Sequence, residues 1–91
     1  MIRSRRDDDV ARLLNRQFSR RLQSVAKTAR IRLALLDAAT SLADLRLPGL
    51  RLEALKGDRR GQYSIRINDQ FRICFEWRDG DAYNVEIVDY H

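Results

Sequence analysis

Arg66 and Arg72 lie either side of a short loop in a run of alternating residues. A three-residue loop at 68–70 pairs Ile67 with Phe71, Ile65 with Ile73 and Tyr63 with Phe75, which keeps every apolar side chain on one face. The same register sets Arg66 opposite Arg72 on the other face. Like charges directly opposed destabilise a strand pair by up to about 1 kcal/mol. Compensation would come from Glu76 or Asp89 as a salt-bridge partner, or from a bound phosphate, whose oxygens suit two guanidinium forks. The same half of the chain holds Lys56, at the mouth of a glycine-bearing loop, and the run Asp89-Tyr90-His91. His91 is the one side chain here whose ordinary pKa lies near neutrality. On the residues alone, Lys56 is equally an ordinary hairpin lysine and His91 an idle end residue.

Other residues invite a functional reading less. Tyr63, Phe71, Phe75 and Trp77 form an aromatic stripe, but their period of two marks them as core and not as a base-stacking platform. Cys74 reads as a small buried strand residue, and Glu53, close to Arg51, as structural. One cysteine excludes an internal disulfide framework, and with a single histidine a Cys/His zinc cluster is excluded too. No metal and no other cofactor is expected.

These residues sit in a chain of 91, enough for one domain over 1–91 with a thin core. Apolar residues make up 44% and charged residues 34%, which fits a folded domain better than a disordered tail. No apolar run approaches the ~18 residues of a membrane span, and the opening MIRSRRDDD lacks an apolar signal core, so a cytoplasmic protein is expected. The net charge is +5, and only two of the 18 basic residues are lysine. Residues 1–36 carry ten basic and three acidic side chains, against eight and ten in 37–91. An arginine-rich basic half points to nucleic acid, or to an acidic protein partner.

Periodicity supplies the scaffold. Met1–Ser4 reads as a short strand. Asp7 or Asp8 is the N-cap of a helix whose stripe is Val10, Leu13, Leu14 and Gln17-Phe18. A second helix is expected from Ser24 as N-cap to about Ala38, with Val25, Ala29, Leu33 and Leu36 inward. After a connector stopped by Pro48-Gly49, the period becomes two: Leu50, Leu52 and Ala54, then Tyr63, Ile65 and Ile67, then Phe71, Ile73, Phe75 and Trp77, then Tyr83, Val85 and Ile87. The fold expected is α+β, a small mainly antiparallel sheet with two N-terminal helices on one face.

The stretches LLDAATSLADLRLPG, RLEALKGDRRGQYSIRINDQFRICF and the final EIVDYH resemble the HigB-like toxins, the plasmid maintenance killer branch of the RelE/ParE superfamily. The likeness runs over nearly the whole chain. It implies a RelE-like fold and a ribosome-dependent endoribonuclease that cuts messenger RNA in the decoding site. It also implies a neighbouring helix-turn-helix antitoxin of the HigA type, with operator DNA reached only through that partner and no membrane involved. The connector Leu47-Pro48-Gly49-Leu50 is shorter than the family's usual Pro-Pro-Gly-Asn stretch.

Metal-free RNA cleavage needs a base for the 2′-hydroxyl proton, cations for the pentavalent phosphorane and an acid for the leaving 5′-oxygen. With the resemblance, Arg66, Arg72 and Lys56 are the expected phosphate ligands. Asp89, Tyr90 and His91 are the expected proton-handling and base-contacting set, with acid and base not divided among them. The basic helices of residues 1–36 would then grip ribosomal RNA. Two other functions suit the same fold: a non-catalytic co-repressor working with its antitoxin, and a ParE-like gyrase poison.

Overall fold

The computed structural model describes residues 1–89. Helix α1 spans Asp8–Leu14 and α2 spans Ala26–Ala38. Strands β1 (Glu53–Ala54), β2 (Gln62–Arg66), β3 (Phe71–Arg78) and β4 (Asp81–Asp89) form one antiparallel sheet in chain order. The expected α+β architecture is what the chain adopts. Val10 and Leu13 of α1 and Ala29, Leu33 and Leu36 of α2 are fully buried in one cluster with Ile65, Ile73, Phe75 and Val85 of the sheet. That leaves the opposite sheet face, the one carrying Ser64, Arg66, Arg72 and Cys74, to other uses. Among the described residues no helix is long and apolar enough to cross a membrane.

The β2–β3 register is the expected one: Tyr63 faces Phe75, Ile65 faces Ile73 and Arg66 faces Arg72. Ile67 closes the hairpin, donating its N–H to the Phe71 carbonyl at 3.0 Å. Asn68 shapes the turn, its Oδ1 accepting from the N–H of Gln70 at 2.9 Å and of Phe71 at 2.7 Å.

Several local expectations are corrected. Helix α1 stops at Leu14 and does not carry the stripe to Phe18, which is exposed. Arg16 turns left-handed at φ 57°, and Ser19 and Arg21 fold back to donate to the two oxygens of Asp9. Helix α2 is entered through a 3-10 turn at Gln23–Val25, so Val25 and not Ser24 precedes its first residue, with no side-chain cap. The strand expected from Leu50 shrinks to Glu53–Ala54, because Pro48–Leu50 form a 3-10 turn and Arg51 is left-handed. In β4 the inward residues are Ala82, Val85 and Ile87, and not Tyr83. Cys74 pairs with Glu86 but Glu76 with Tyr83, so Asn84 and Val85 together oppose Phe75 as a β-bulge. Asn84 takes the left-handed conformation, φ 53°, that its short polar side chain tolerates.

The opening residues, expected as a short strand, form none; they make only isolated parallel bridges to β4, from Ile2 to Ala82 and from Arg5 to Val85. Ser4 Oγ accepts the Asn84 N–H at the bulge. Asp7 has two tasks. One oxygen caps α1 by accepting from the Val10 N–H, and the other accepts from the Ile87 N–H at 2.8 Å. Arg21 Nη1 donates to the Ile87 carbonyl at 3.1 Å.

Candidate active site

The sheet face turned away from the helices is organised in cross-strand rows. One row is Arg66, Arg72 and Val88; the next is Glu53, Ser64, Cys74 and Glu86. The pleat therefore brings the two expected phosphate-binding arginines side by side, near the hairpin turn. Their repulsion is relieved in two directions. Arg66 Nη2 pairs with Asp69. Arg72 Nε donates to Ser64 Oγ at 2.8 Å and its Nη2 to the Arg51 carbonyl at 2.7 Å. Glu76, a salt-bridge partner considered for this pair, instead accepts from Asn84 Nδ2 at 2.7 Å, with Arg6 at 3.9 Å.

Asp89 lies at the same end of the sheet, opposite Phe71 and one position beyond Val88. Strand alternation gives it to the Phe71 side of the pleat, where its carboxylate accepts from Gln70 Nε2 at 3.0 Å. Lys56 is exposed and precedes the 3-10 turn Gly57–Arg59, in which Gly57 has the φ of 64° that glycine adopts without cost. Tyr90 and His91 lie outside the described residues.

The middle of the face holds Arg59 and Ser64, which the sequence reading passed over, and Cys74, which is buried as expected. Arg59 Nη1 donates to Gln62 Oε1 at 3.0 Å and to Glu86 Oε2 at 3.2 Å, tying the 57–59 turn to β4. Ser64 and Cys74, opposite each other, are both fully buried. Burial pushes the Cys74 thiol above its ordinary value, so it stays protonated and is not a nucleophile at neutral pH. Tyr63 and Phe75 stack at 6.1 Å and Phe75 meets Trp77 edge-on at 6.3 Å, on the helix-facing side. Phe75 is core, as its spacing predicts, and Tyr63 and Trp77 are partly buried against that core. Among the described residues no three His, Cys, Asp or Glu side chains gather as a metal site requires.

The arrangement offers a paired guanidinium surface on a rigid hairpin, with one of the two cations locked in place. Such a surface suits a phosphodiester better than a carboxylate, because charge builds on several oxygens at once during phosphoryl transfer. A family model described as "RelE-like toxin of type II toxin-antitoxin system HigB" matches residues 3–91. The chain belongs to this HigB-like toxin family. It is 50% identical over 54 residues to Toxin HigB-1 of Vibrio cholerae serotype O1, a match covering 58% of this chain and 57% of that protein. It is 42% identical over 60 residues to Endoribonuclease HigB of Proteus vulgaris, covering 66% of this chain and 65% of the relative. The matches thus span less than two thirds of either relative's length.

Proposed function

We propose that this protein is the toxin of a type II toxin–antitoxin pair and acts as a ribosome-dependent endoribonuclease that cuts messenger RNA in the decoding site. One observation carries the reading: Arg66 and Arg72 are directly opposed on the sheet face turned away from the helices, in a family with a relative named an endoribonuclease. Arg66, Arg72 and Lys56 bind the scissile phosphate and stabilise the phosphorane. Tyr90 and His91 handle the proton leaving the 2′-hydroxyl and the one reaching the 5′-oxygen, and Asp89, whose carboxylate lies on the other side of the pleat from the arginines, orients His91. The products are a 2′,3′-cyclic or 3′-phosphate and a 5′-hydroxyl. The protein works in the cytoplasm, where ribosomes are. It is silenced by a helix-turn-helix antitoxin that alone contacts operator DNA.

Mapping transcript 5′ ends after a brief induction tests the proposal. Ribosome-dependent cuts in phase with codons support it. Intact messenger RNA with robust growth on strong expression of folded protein overturns it in favour of a non-catalytic co-repressor. Intact messenger RNA with supercoiling defects overturns it in favour of gyrase poisoning.

A further inference from the structure

Ser64 lies mid-way along β2 with no exposed surface, between Glu53 on β1 and Cys74 on β3. A buried hydroxyl in a folded protein has a hydrogen-bond partner, and here the partner is Arg72. The guanidinium donates through Nε to Ser64 Oγ at 2.8 Å, and its Nη2 lies 3.5 Å from the Ser64 carbonyl oxygen. From the other side, Nη2 donates to the Arg51 carbonyl at 2.7 Å. Arg51 is itself left-handed, φ 47° and ψ 54°, where the chain leaves the Pro48–Leu50 turn and enters β1. Few non-glycine residues adopt that conformation. The guanidinium plane is therefore pinned at two of its nitrogens, by two different elements.

Transition-state stabilisation depends on donors aimed before the charge appears, and a long side chain aimed by nothing loses that advantage. We infer that Ser64 is a positioning residue for RNA cleavage: its hydroxyl holds Arg72 in the orientation in which the guanidinium meets the scissile phosphate. Buried beneath the arginine, Ser64 acts on the substrate only through it. The inference rests on the reading of Arg72 proposed above, and it explains why a serine stands in a row otherwise filled by Glu53, Cys74 and Glu86. Without Oγ, Nε loses its acceptor, whereas Nη2 keeps the Arg51 and Ser64 carbonyls, so the orientation of the guanidinium plane is less closely fixed.

The test uses the whole chain in a single-turnover assay of ribosome-bound messenger RNA. Ser64→Ala removes the acceptor, and Ser64→Cys fills similar space with a poor one, so a folding failure of either leaves the other to report. Cleavage is expected to fall about tenfold or more, the scale of a misplaced catalytic group. Ribosome affinity, read by sedimentation, is expected to stay unchanged. Added to Arg72→Ala, Ser64→Ala is expected to lower the residual rate no further, because the two residues act as one unit. A merely structural serine would instead multiply its loss with that of Arg72→Ala. That outcome, or wild-type cleavage by the folded Ser64 variants alongside a slow Arg72→Ala, overturns the inference alone. Wild-type cleavage by Arg72→Ala overturns the catalytic reading beneath it as well.

Discussion

Arg66 and Arg72 stand directly opposite each other, yet they are held in different ways: Arg66 by the exposed Asp69 of the hairpin turn, Arg72 by the buried Ser64 hydroxyl. One cation is tethered by a surface ion pair, the kind of contact that contributes little energy and yields easily. The other is fixed from inside the sheet. Arg72→Ala should therefore be the more damaging change. It is expected to slow ribosome-dependent cleavage by about 10²- to 10³-fold, the cost of removing one oriented donor, with ribosome binding intact. Arg66→Ala should cost less, and equal losses in the same assay would contradict this ranking.

Removing Tyr90-His91, or changing His91→Ala, is expected to abolish toxicity and to reduce cleavage by about 10²-fold or more, the scale of lost general acid–base catalysis. Growth curves after induction, beside primer extension on a reporter message, give the answer. Near wild-type cleavage by the truncated chain would remove proton transfer from these residues.

Seven of the ten basic side chains in residues 1–36 fall into two groups. Arg3, Arg6, Arg12 and Arg21 are paired with Asp81, Glu76 and Glu86, Asp9, and Asp7 and Asp9. Arg16, Lys27 and Arg30 instead line a surface cleft with Ile31 and Ala34. Reversing Arg16, Arg20 and Arg30 to Glu is expected to weaken ribosome binding and flatten its dependence on salt, with the melting temperature moved by only a few degrees. Unchanged co-sedimentation at low salt would place ribosome docking elsewhere.

Asp9 gives the fold a pH dependence with a definite sign. The Ser19 hydroxyl hydrogen bond, with those of Arg21 and Arg12, holds its carboxyl below the ordinary carboxylate value, against the opposing effect of burial. A group depressed in the folded state stabilises fully above its unfolded pKa of about 3.9, and the contribution fades as pH falls through the folded value. Denaturant melts from pH 7 to pH 3 should show stability dropping on the acid side. Asp9→Asn should be less stable at pH 7 and show a shallower acid decline; an identical acid limb would refute the linkage.

Phe75 and Phe18 supply a stability contrast. Phe75 is fully buried between Tyr63 and Trp77, whereas Phe18 is 70% exposed. Phe75→Ala is expected to cost about 3–5 kcal/mol, and Phe18→Ala within about 0.5 kcal/mol, by urea denaturation.

The β2–β3 hairpin could be read residue by residue because each strand has one apolar face, and a slip of one position would turn Ile65, Ile73 and Phe75 to the wrong side. That register also exposed the Arg66–Arg72 pair. The β4 bulge could not be read, because Tyr83, Val85 and Ile87 alternate perfectly in the sequence. What breaks the alternation is Asn84, whose N–H meets Ser4 Oγ 80 positions away. The end of α1 was hidden for a similar reason. Leu14 and Phe18 have helical spacing, but Ser19 and Arg21 are recruited back to Asp9. Ser64 and Arg51 went unnoticed because their roles depend on a buried hydroxyl and a left-handed turn. The one available sign was that Ser64 is the diagonal neighbour of Arg72 in the register already deduced.

β4 is the longest strand, and one of its flanks would present a row of bare amides and carbonyls. The opening segment occupies that flank at Ala82 and Val85, and Asp7 and Arg21 satisfy both backbone groups of Ile87. On the far side the sheet closes with only two residues of β1. An uncovered strand is a template for stacking chain upon chain, and along the described part of β4 that template is largely occupied. Among the described residues, a neighbouring chain would therefore find little unpaired backbone along β4 to extend.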